Sequence, residues 1–241
     1  SRFVEFQRYE PGNRFSTNLD NKYYIGIPSM NSIGKYLANG LDTRLSTHIS
    51  SIDLNKNSWT LTTKSKERYD GFDWVIVTAP APQTIELMPG FFKFYDQLND
   101  YEMSPCVSLM LGFEESLNLC FDCAKIVESD IEWISVNSNK PGRNHHYSLL
   151  VQASTRWATL HQDDERDTIL NHLSEETSKV LQKDISKAVH KEIHIWRFSR
   201  GYNQKSHHIL VDKNSKLAAC GDWCVGSDVE AAFMAAFNVS H

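Results

Sequence analysis

The residues of this 241-residue chain best suited to chemistry gather at two expected strand ends. Near the C-terminus, the apolar stretch Leu217-Ala218-Ala219-Cys220 reads as a short strand running into Gly221-Asp222-Trp223. After a small loop, Ser227-Asp228-Val229-Glu230 opens a helix. Ser227 with Glu230 three residues on is a capping-box pattern, and Val229, Ala232, Phe233, Ala236 and Phe237 supply a packing face. Such a junction presents free backbone N–H groups and the positive end of a helix dipole, which suits a phosphate or another negative charge. A glycine there lets a ligand approach the backbone closely. The competing reading is an ordinary strand–helix unit capped for stability. The second strand end is Phe72-Asp73-Trp74-Val75-Ile76-Val77-Thr78-Ala79-Pro80, a buried strand finishing in small residues and prolines. Open α/β sheets bind ligands at that carboxyl edge, although a plain strand end and loop is the better reading of this segment taken alone.

Other side chains have the chemistry of binding groups. Trp133 and Trp196 suit either stacking on a planar ring or core packing. Arg143 and Arg197 have the fork that clamps a phosphate or carboxylate. A solvated surface role is the simpler reading of Arg143, whereas Arg197, in an apolar strand, is the stronger candidate. His145-His146 and His207-His208 do not predict a metal, because adjacent strand residues point to opposite faces. Cys120 and Cys123 form a single C-x-x-C without a second pair at finger spacing, so no metal site is expected. No G-x-S-x-G elbow is present, and no triad nucleophile is predicted.

These residues must be positioned by a folded core, and the composition supports one, with 41% hydrophobic residues. The net charge of -5 comes without a basic run, which argues against nucleic acid as a partner. No apolar stretch approaches the roughly 20 residues of a membrane helix, and the first residues lack the apolar region of a signal peptide. Five cysteines, an odd number, argue against a disulfide framework and for reduced thiols in the cytoplasm. Asn238-Val239-Ser240 reads as a chance glycosylation pattern, and the acidic run 163–167 as a solvated helix start.

The hydrophobic periods predict a helix over 29–40 with Met30, Ile33 and Leu37 on one face, and a short strand at 43–45. Strands follow at 49–54 and 58–64, joined by Asn55-Lys56-Asn57, and a buried strand at 72–78. Period-two alternation at 106–113, 131–136 and 147–153 predicts an antiparallel sheet with one covered face. The clearest helix spans 164–182, with a stripe of Ile169, Leu170, Leu173, Thr177, Val180 and Leu181. Strand 192–198 places His194, Trp196 and Phe198 on one face and Ile193, Ile195 and Arg197 on the other. The whole predicts an α+β fold with an α/β-like part.

Taken in order, several segments resemble the renalase-like branch of the flavin amine oxidase superfamily. Tyr24 to Asn31 is similar to a family turn that opens a helix, with Ser29 where glycine is usual. Thr47-His48-Ile49 with Ile52 resembles the strand whose backbone meets the adenine of FAD, and Thr78 to Gln83 the turn below the flavin. Trp133 with Lys140-Pro141-Gly142-Arg143, and Trp196-Arg197-Phe198, look like pieces of the substrate domain. Cys220-Gly221-Asp222-Trp223-Cys224 with Val229 to Phe233 resembles the final FAD motif. The likeness covers roughly 24–236 and departs from the family at Met234-Ala235-Ala236, where leucine–serine–glycine is usual.

The resemblance implies an FAD-dependent oxidoreductase acting on a small molecule, a reduced nicotinamide isomer or an amine, with electrons passed through the flavin to oxygen. Its FAD contacts would be Ile49, Thr78, Ala79, Pro80, Gly221, Asp222, Trp223, Val229 and Glu230, and its catalytic residues, on the substrate side, Trp196 and Arg197. It also implies an FAD-binding part at 1–83 and 211–241 and a substrate domain at 84–210. The G-x-G-x-x-G unit that opens the FAD domain of such proteins is not in this sequence. A truncated chain that retains FAD weakly or not at all is therefore expected, and a non-catalytic binding module is the alternative.

Overall fold

A computed structural model describes residues 6–10, 14–17, 24–143, 146–202 and 209–240, the first two stretches by backbone alone. In chain order the elements begin with β1 (Phe6–Glu10), β2 (Arg14–Thr17), α1 (Ser32–Leu37), β3 (Ile49–Asn55), β4 (Ser58–Thr63), β5 (Arg68–Phe72), β6 (Val75–Val77) and α2 (Ala81–Leu87). There follow β7 (Glu102–Phe113), β8 (Cys123–Ile126), β9 (Ile131–Val136), β10 (Tyr147–Ala153), α3 (Thr155–His161) and α4 (Arg166–Leu181). The chain ends with β11 (His190–Tyr202), β12 (Leu210–Asp212), β13 (Leu217–Ala219) and α5 (Val229–Ser240). Helices and mainly antiparallel sheets together make an α+β fold.

The chain divides into two compact units, Ser1–Asp42 with Pro105–Trp196, and Thr43–Ser104 with Arg197–His241. The expected bounds were 1–83 with 211–241, and 84–210. The difference at the N-terminal end has a backbone cause. β1 pairs in parallel with β8, and β2 pairs antiparallel with β1, so the first strands extend the large sheet.

That sheet has seven strands in the order β11-β7-β10-β9-β8-β1-β2. The alternation read from the sequence sets its register: Leu149 lies opposite Leu111, Val151 opposite Leu109, and Val151 also opposite Ile134. The apolar side chains on one face therefore meet the stripe of α4, and Ile169, Leu173, Val180 and Leu181 share one core with Leu109, Ile134 and Leu149. Each fully buried Leu or Ile of this kind contributes on the order of 1.5–3 kcal/mol. α4 stops where Gln182 turns left-handed (φ 51°). The expectation of one covered face fails at the start of β7, where Cys106 and Ser108 are buried alongside Val107 and Leu109.

The second unit carries two three-stranded sheets, β3-β4-β5 and β12-β13-β6. The first is the predicted hairpin, with Lys56 left-handed at its turn (φ 57°), plus β5. Its Trp59 is fully buried and donates its indole N–H to the Ser215 carbonyl at 3.0 Å. The single buried strand expected over 72–78 is instead two. β5 runs on to Phe72, with Gly71 at φ +90° beside a register irregularity at Trp59/Thr60, and β6 covers only Val75–Val77, with Val75 and Val77 buried and Ile76 49% exposed. No strand forms at 43–45, and α1 is shorter than the expected helix. No helix among the described residues is long and apolar enough to cross a membrane.

Candidate functional site

Within the second unit, the two strand ends singled out by the sequence lie side by side. β13 pairs in parallel with β6, Leu217 opposite Val75 and Ala219 opposite Val77, and the Cys220 N–H continues the ladder to the Val77 carbonyl at 3.1 Å. Parallel pairing makes both strands leave the sheet at the same carboxyl edge, so Thr78-Ala79-Pro80 and Gly221-Asp222-Trp223 become neighbours. A direct bond joins them, from the Trp223 indole N–H to the Ala79 carbonyl at 3.0 Å. Thr78 is exposed, and Ala79, Pro80, Gly221 and Asp222 are half-buried. Trp223 is only 1% exposed and belongs to the core beneath the edge.

The glycine at 221 has a different cause from the one expected. Its φ is 178°, extended backbone open to any residue. A side chain there would instead run into the Trp223 ring, within 2.7 Å of Cδ1. The backbone N–H groups expected to face a ligand are also engaged. The Asp222 carboxylate takes its own N–H and that of Trp223, while burial, and secondarily Asp228, push its pKa upward.

The start of α5 differs from the capping box in the same way. The helix begins at Val229, so Asp228 takes the capping position, and its carboxylate accepts the Ala231 N–H at 2.7 Å. Ser227 lies one residue too early to cap. The packing face is reversed as well. Ala231 and Ala235 are buried, whereas Val229, Phe233 and Phe237 are 60%, 56% and 48% exposed. A close approach explains this, because a Cβ at Gly226 would lie 2.9 Å from that of Ala231, a spacing that larger residues would forbid. Val229 and Glu230 are exposed at the helix start.

Ile49 joins the strand-end turn through a groove of about 500 Å³, lined by Thr47, His48, Ile49 and Ser50 with Ala79 and Gln83. Its volume is in the range of small-molecule sites, and its walls mix backbone, hydroxyl and amide groups. Of the expected cofactor contacts, Ile49 and Ala79 line it, and Trp223 reaches it only through Ala79. The residues fit the non-ionic part of a flavin dinucleotide: an open carboxyl edge, the Thr78-Ala79-Pro80 turn with Gly221, and a groove beside a strand backbone. The sequence reading missed α2, whose Gln83 lines this groove and whose Thr84 hydroxyl donates to the Ala79 carbonyl at 2.8 Å. The proline at its start gave the signal, since proline is favoured in a helix's first turn.

In the first unit, the Lys140–Arg143 segment and the 24–31 turn are joined. Arg143 donates through Nη1 to the Gly26 carbonyl at 3.0 Å and to the Pro28 carbonyl, so it is a clasp rather than a solvated arginine. Gly142 (φ +71°) must be small, because a Cβ would sit 2.5 Å from Ile27 Cγ2. Trp133 is half-buried on β9, opposite Gln152 and Lys125. Trp196, 55% exposed with its ring 4.2 Å from that of His194, ends the first unit, and Arg197, also exposed, begins the second. All five cysteines are free thiols, and no metal-ligand cluster occurs among the described residues. His146 is exposed, whereas His145 and the His207-His208 pair lie outside the described residues.

Three solved structures share the fold at low identity. A protein assigned as a protoporphyrinogen oxidase from Exiguobacterium sp. 255-15 matches with a TM-score of 0.66 and 13% identity, over 88% of this chain and 50% of that one. A cofactor-binding redesign of putrescine oxidase matches at 0.64 and 11%, over 87% and 50%. Wild-type putrescine oxidase bound to putrescine matches at 0.61 and 11%, over 87% and 52%. The chain thus spans about half the length of these structures. A family model, flavin containing amine oxidoreductase, matches residues 9–238, nearly the whole sequence, and the chain therefore belongs to the flavin-containing amine oxidoreductase family.

Proposed function

We propose that this chain forms part of an FAD-dependent oxidoreductase of the renalase-like kind, oxidising an amine or a reduced nicotinamide isomer and passing the electrons through FAD to oxygen. The observation that carries the reading is the parallel β6–β13 pair, which sets the Thr78-Ala79-Pro80 turn and Gly221 at one carboxyl edge beside the Ile49 groove. When bound, the flavin supplies the redox chemistry, and the protein orients and shields it. In this reading Thr78, Ala79, Pro80, Gly221 and Asp222 border the cofactor, and Ile49 meets its adenine end. Val229 and Glu230 lie alongside, and Trp196 and Arg197 meet a small-molecule substrate. Five free thiols suit a reducing compartment, and we place the protein in the cytoplasm.

The test is an FAD titration of the purified chain, followed by quenching of flavin fluorescence and by the visible absorption bands. Weak, saturable binding is expected, because no G-x-G-x-x-G loop is present to hold the pyrophosphate. Absence of any saturable change would overturn the cofactor reading for this chain and favour a binding module without flavin. Stoichiometric flavin in the protein as purified would refute the expectation of weak retention.

A further inference from the structure

We propose that Trp223 is a positioning residue for the cofactor edge: its buried indole ring, rather than a passing cofactor, requires glycine at 221, and its N–H fixes the spacing of the 78–80 and 221–224 turns. This rests on the reading of that edge as the flavin side of the protein. Three observations support it independently of any ligand. First, the ring has no surface to offer a ligand, being 1% exposed and packed edge-on against Tyr101 with centroids 4.7 Å apart at 71°. Second, the Ala79 carbonyl accepts both the Trp223 indole N–H at 3.0 Å and the Thr84 hydroxyl at 2.8 Å. Both lone pairs are then used, so this carbonyl is turned into the protein, and Thr78 is the exposed residue of the turn. Third, the backbone at Gly221 tolerates any residue, and the three atoms nearest to where a Cβ would sit all belong to the Trp223 indole. The 221–224 turn closes by its own bonds, Cys224 N–H to the Gly221 carbonyl at 3.1 Å and Val225 N–H to the Asp222 carbonyl at 3.0 Å. The Trp223–Ala79 bond links a side chain of that turn to its neighbour.

The test uses Trp223→Phe, Trp223→Leu, Gly221→Ala and the double variant Gly221→Ala/Trp223→Leu in the full chain. Trp223→Phe keeps a ring and deletes the donor. Amide exchange at Cys224 and Thr84 should accelerate about tenfold, the equivalent of one lost hydrogen bond. In an FAD titration the midpoint should rise by about the same factor, with the extent of flavin quenching at saturation unchanged. A changed extent of quenching at an unchanged midpoint would show that Trp223 touches the flavin, and would overturn the proposal. Gly221→Ala should shift the unfolding equilibrium at least about tenfold more in the wild-type background than beside Trp223→Leu, because the clash is with the indole. Equal shifts in both backgrounds would refute the steric claim. If Trp223→Leu does not fold, the exchange and titration of Trp223→Phe still decide. A wild-type chain that does not respond to FAD would sink the cofactor reading, whereas the exchange data and the Gly221 comparison would still judge the spacing claim.

Discussion

The clasp between Arg143 and the 26–28 turn should control the stability of the segment that follows it. α1 spans six residues, buries none of them, and has no side-chain bond at its N-cap. Tyr36 and Leu37 are 80% and 56% exposed. A helix this short is unstable by itself in water, so its order depends on what fastens its ends. The preceding turn is held by the two carbonyl bonds of the half-buried Arg143. Charge-assisted bonds contribute roughly 1.5–3 kcal/mol each. Because both bonds share one nitrogen and the site is partly solvated, about 2 kcal/mol for the pair is the working figure. Arg143→Ala should then raise local opening of residues 29–38 by about 30-fold, with little change in the core of β7, β9 and β10. Arg143→Lys should give an intermediate value, since it keeps the charge and loses the planar fork. Amide exchange resolved by peptide measures this directly. Unchanged protection over 29–38 in Arg143→Ala would refute the reasoning, as would equal loosening across the seven-stranded sheet.

Three further outcomes are expected. Asp228→Ala should lower the melting temperature by about 2–4 °C, the effect of about 1 kcal/mol from a lost cap in a domain of this size, while Ser227→Ala should change it little. A reversed order in thermal melts would restore Ser227 as the cap. Asp212 is buried, which pushes its pKa up, but hydrogen bonds from Ser215, Asn214 and the Lys93 backbone together hold it below the ordinary 3.8. A depressed carboxyl stabilises the fold fully above that value and loses the contribution as pH falls through its folded pKa. Stability measured against pH should therefore decline in acid less steeply for Asp212→Asn, and identical acid limbs would contradict this. Burial pushes the Cys224 and Cys123 thiols up to about 12 and about 11, so the folded chain should be alkylated at pH 8 on the exposed Cys120 well before these two. Early labelling of Cys224 would exclude the buried turn described here.

The parts of the fold legible in the sequence are those where one periodicity extends over many residues. β7, β9, β10 and α4 each meet a single core, so their apolar positions repeat cleanly. Short elements escaped. β8 has only four residues, and α2 begins among prolines that read as a turn although the first helical turn tolerates them. The 72–78 run reads as one strand, but Phe72 closes β5, Asp73 and Trp74 leave the strand, and only Val75–Val77 forms β6. α5 was assigned the wrong buried face, because a helix apolar on both sides has no unique stripe. Gly226 lies against Ala231, and Ala235 packs into the second unit's core, and these are tertiary facts. The clasp at Arg143 was visible only as a motif, since the carbonyls it binds lie more than a hundred residues away in sequence.

Charge also limits what the strand-end edge can bind. A helix N-terminus carries roughly +0.5 of an elementary charge, and α5 would offer this to a phosphate if its end were bare. Instead the Asp228 carboxylate occupies the cap, Glu230 is exposed one turn-position on, and Asp222 covers the neighbouring N–H groups. With the cap occupied by an acidic side chain and further acidic residues beside it, the helix start offers a phosphate no bare N–H groups at the cap. What remains favourable is shape and neutral contact: the Thr78-Ala79-Pro80 turn and Gly221, the Ile49 groove, and an Ala79 carbonyl already satisfied from within. An edge of that kind suits the uncharged rings and sugar of a dinucleotide. The charged pyrophosphate needs a different donor set, of the sort that a glycine-rich first loop provides.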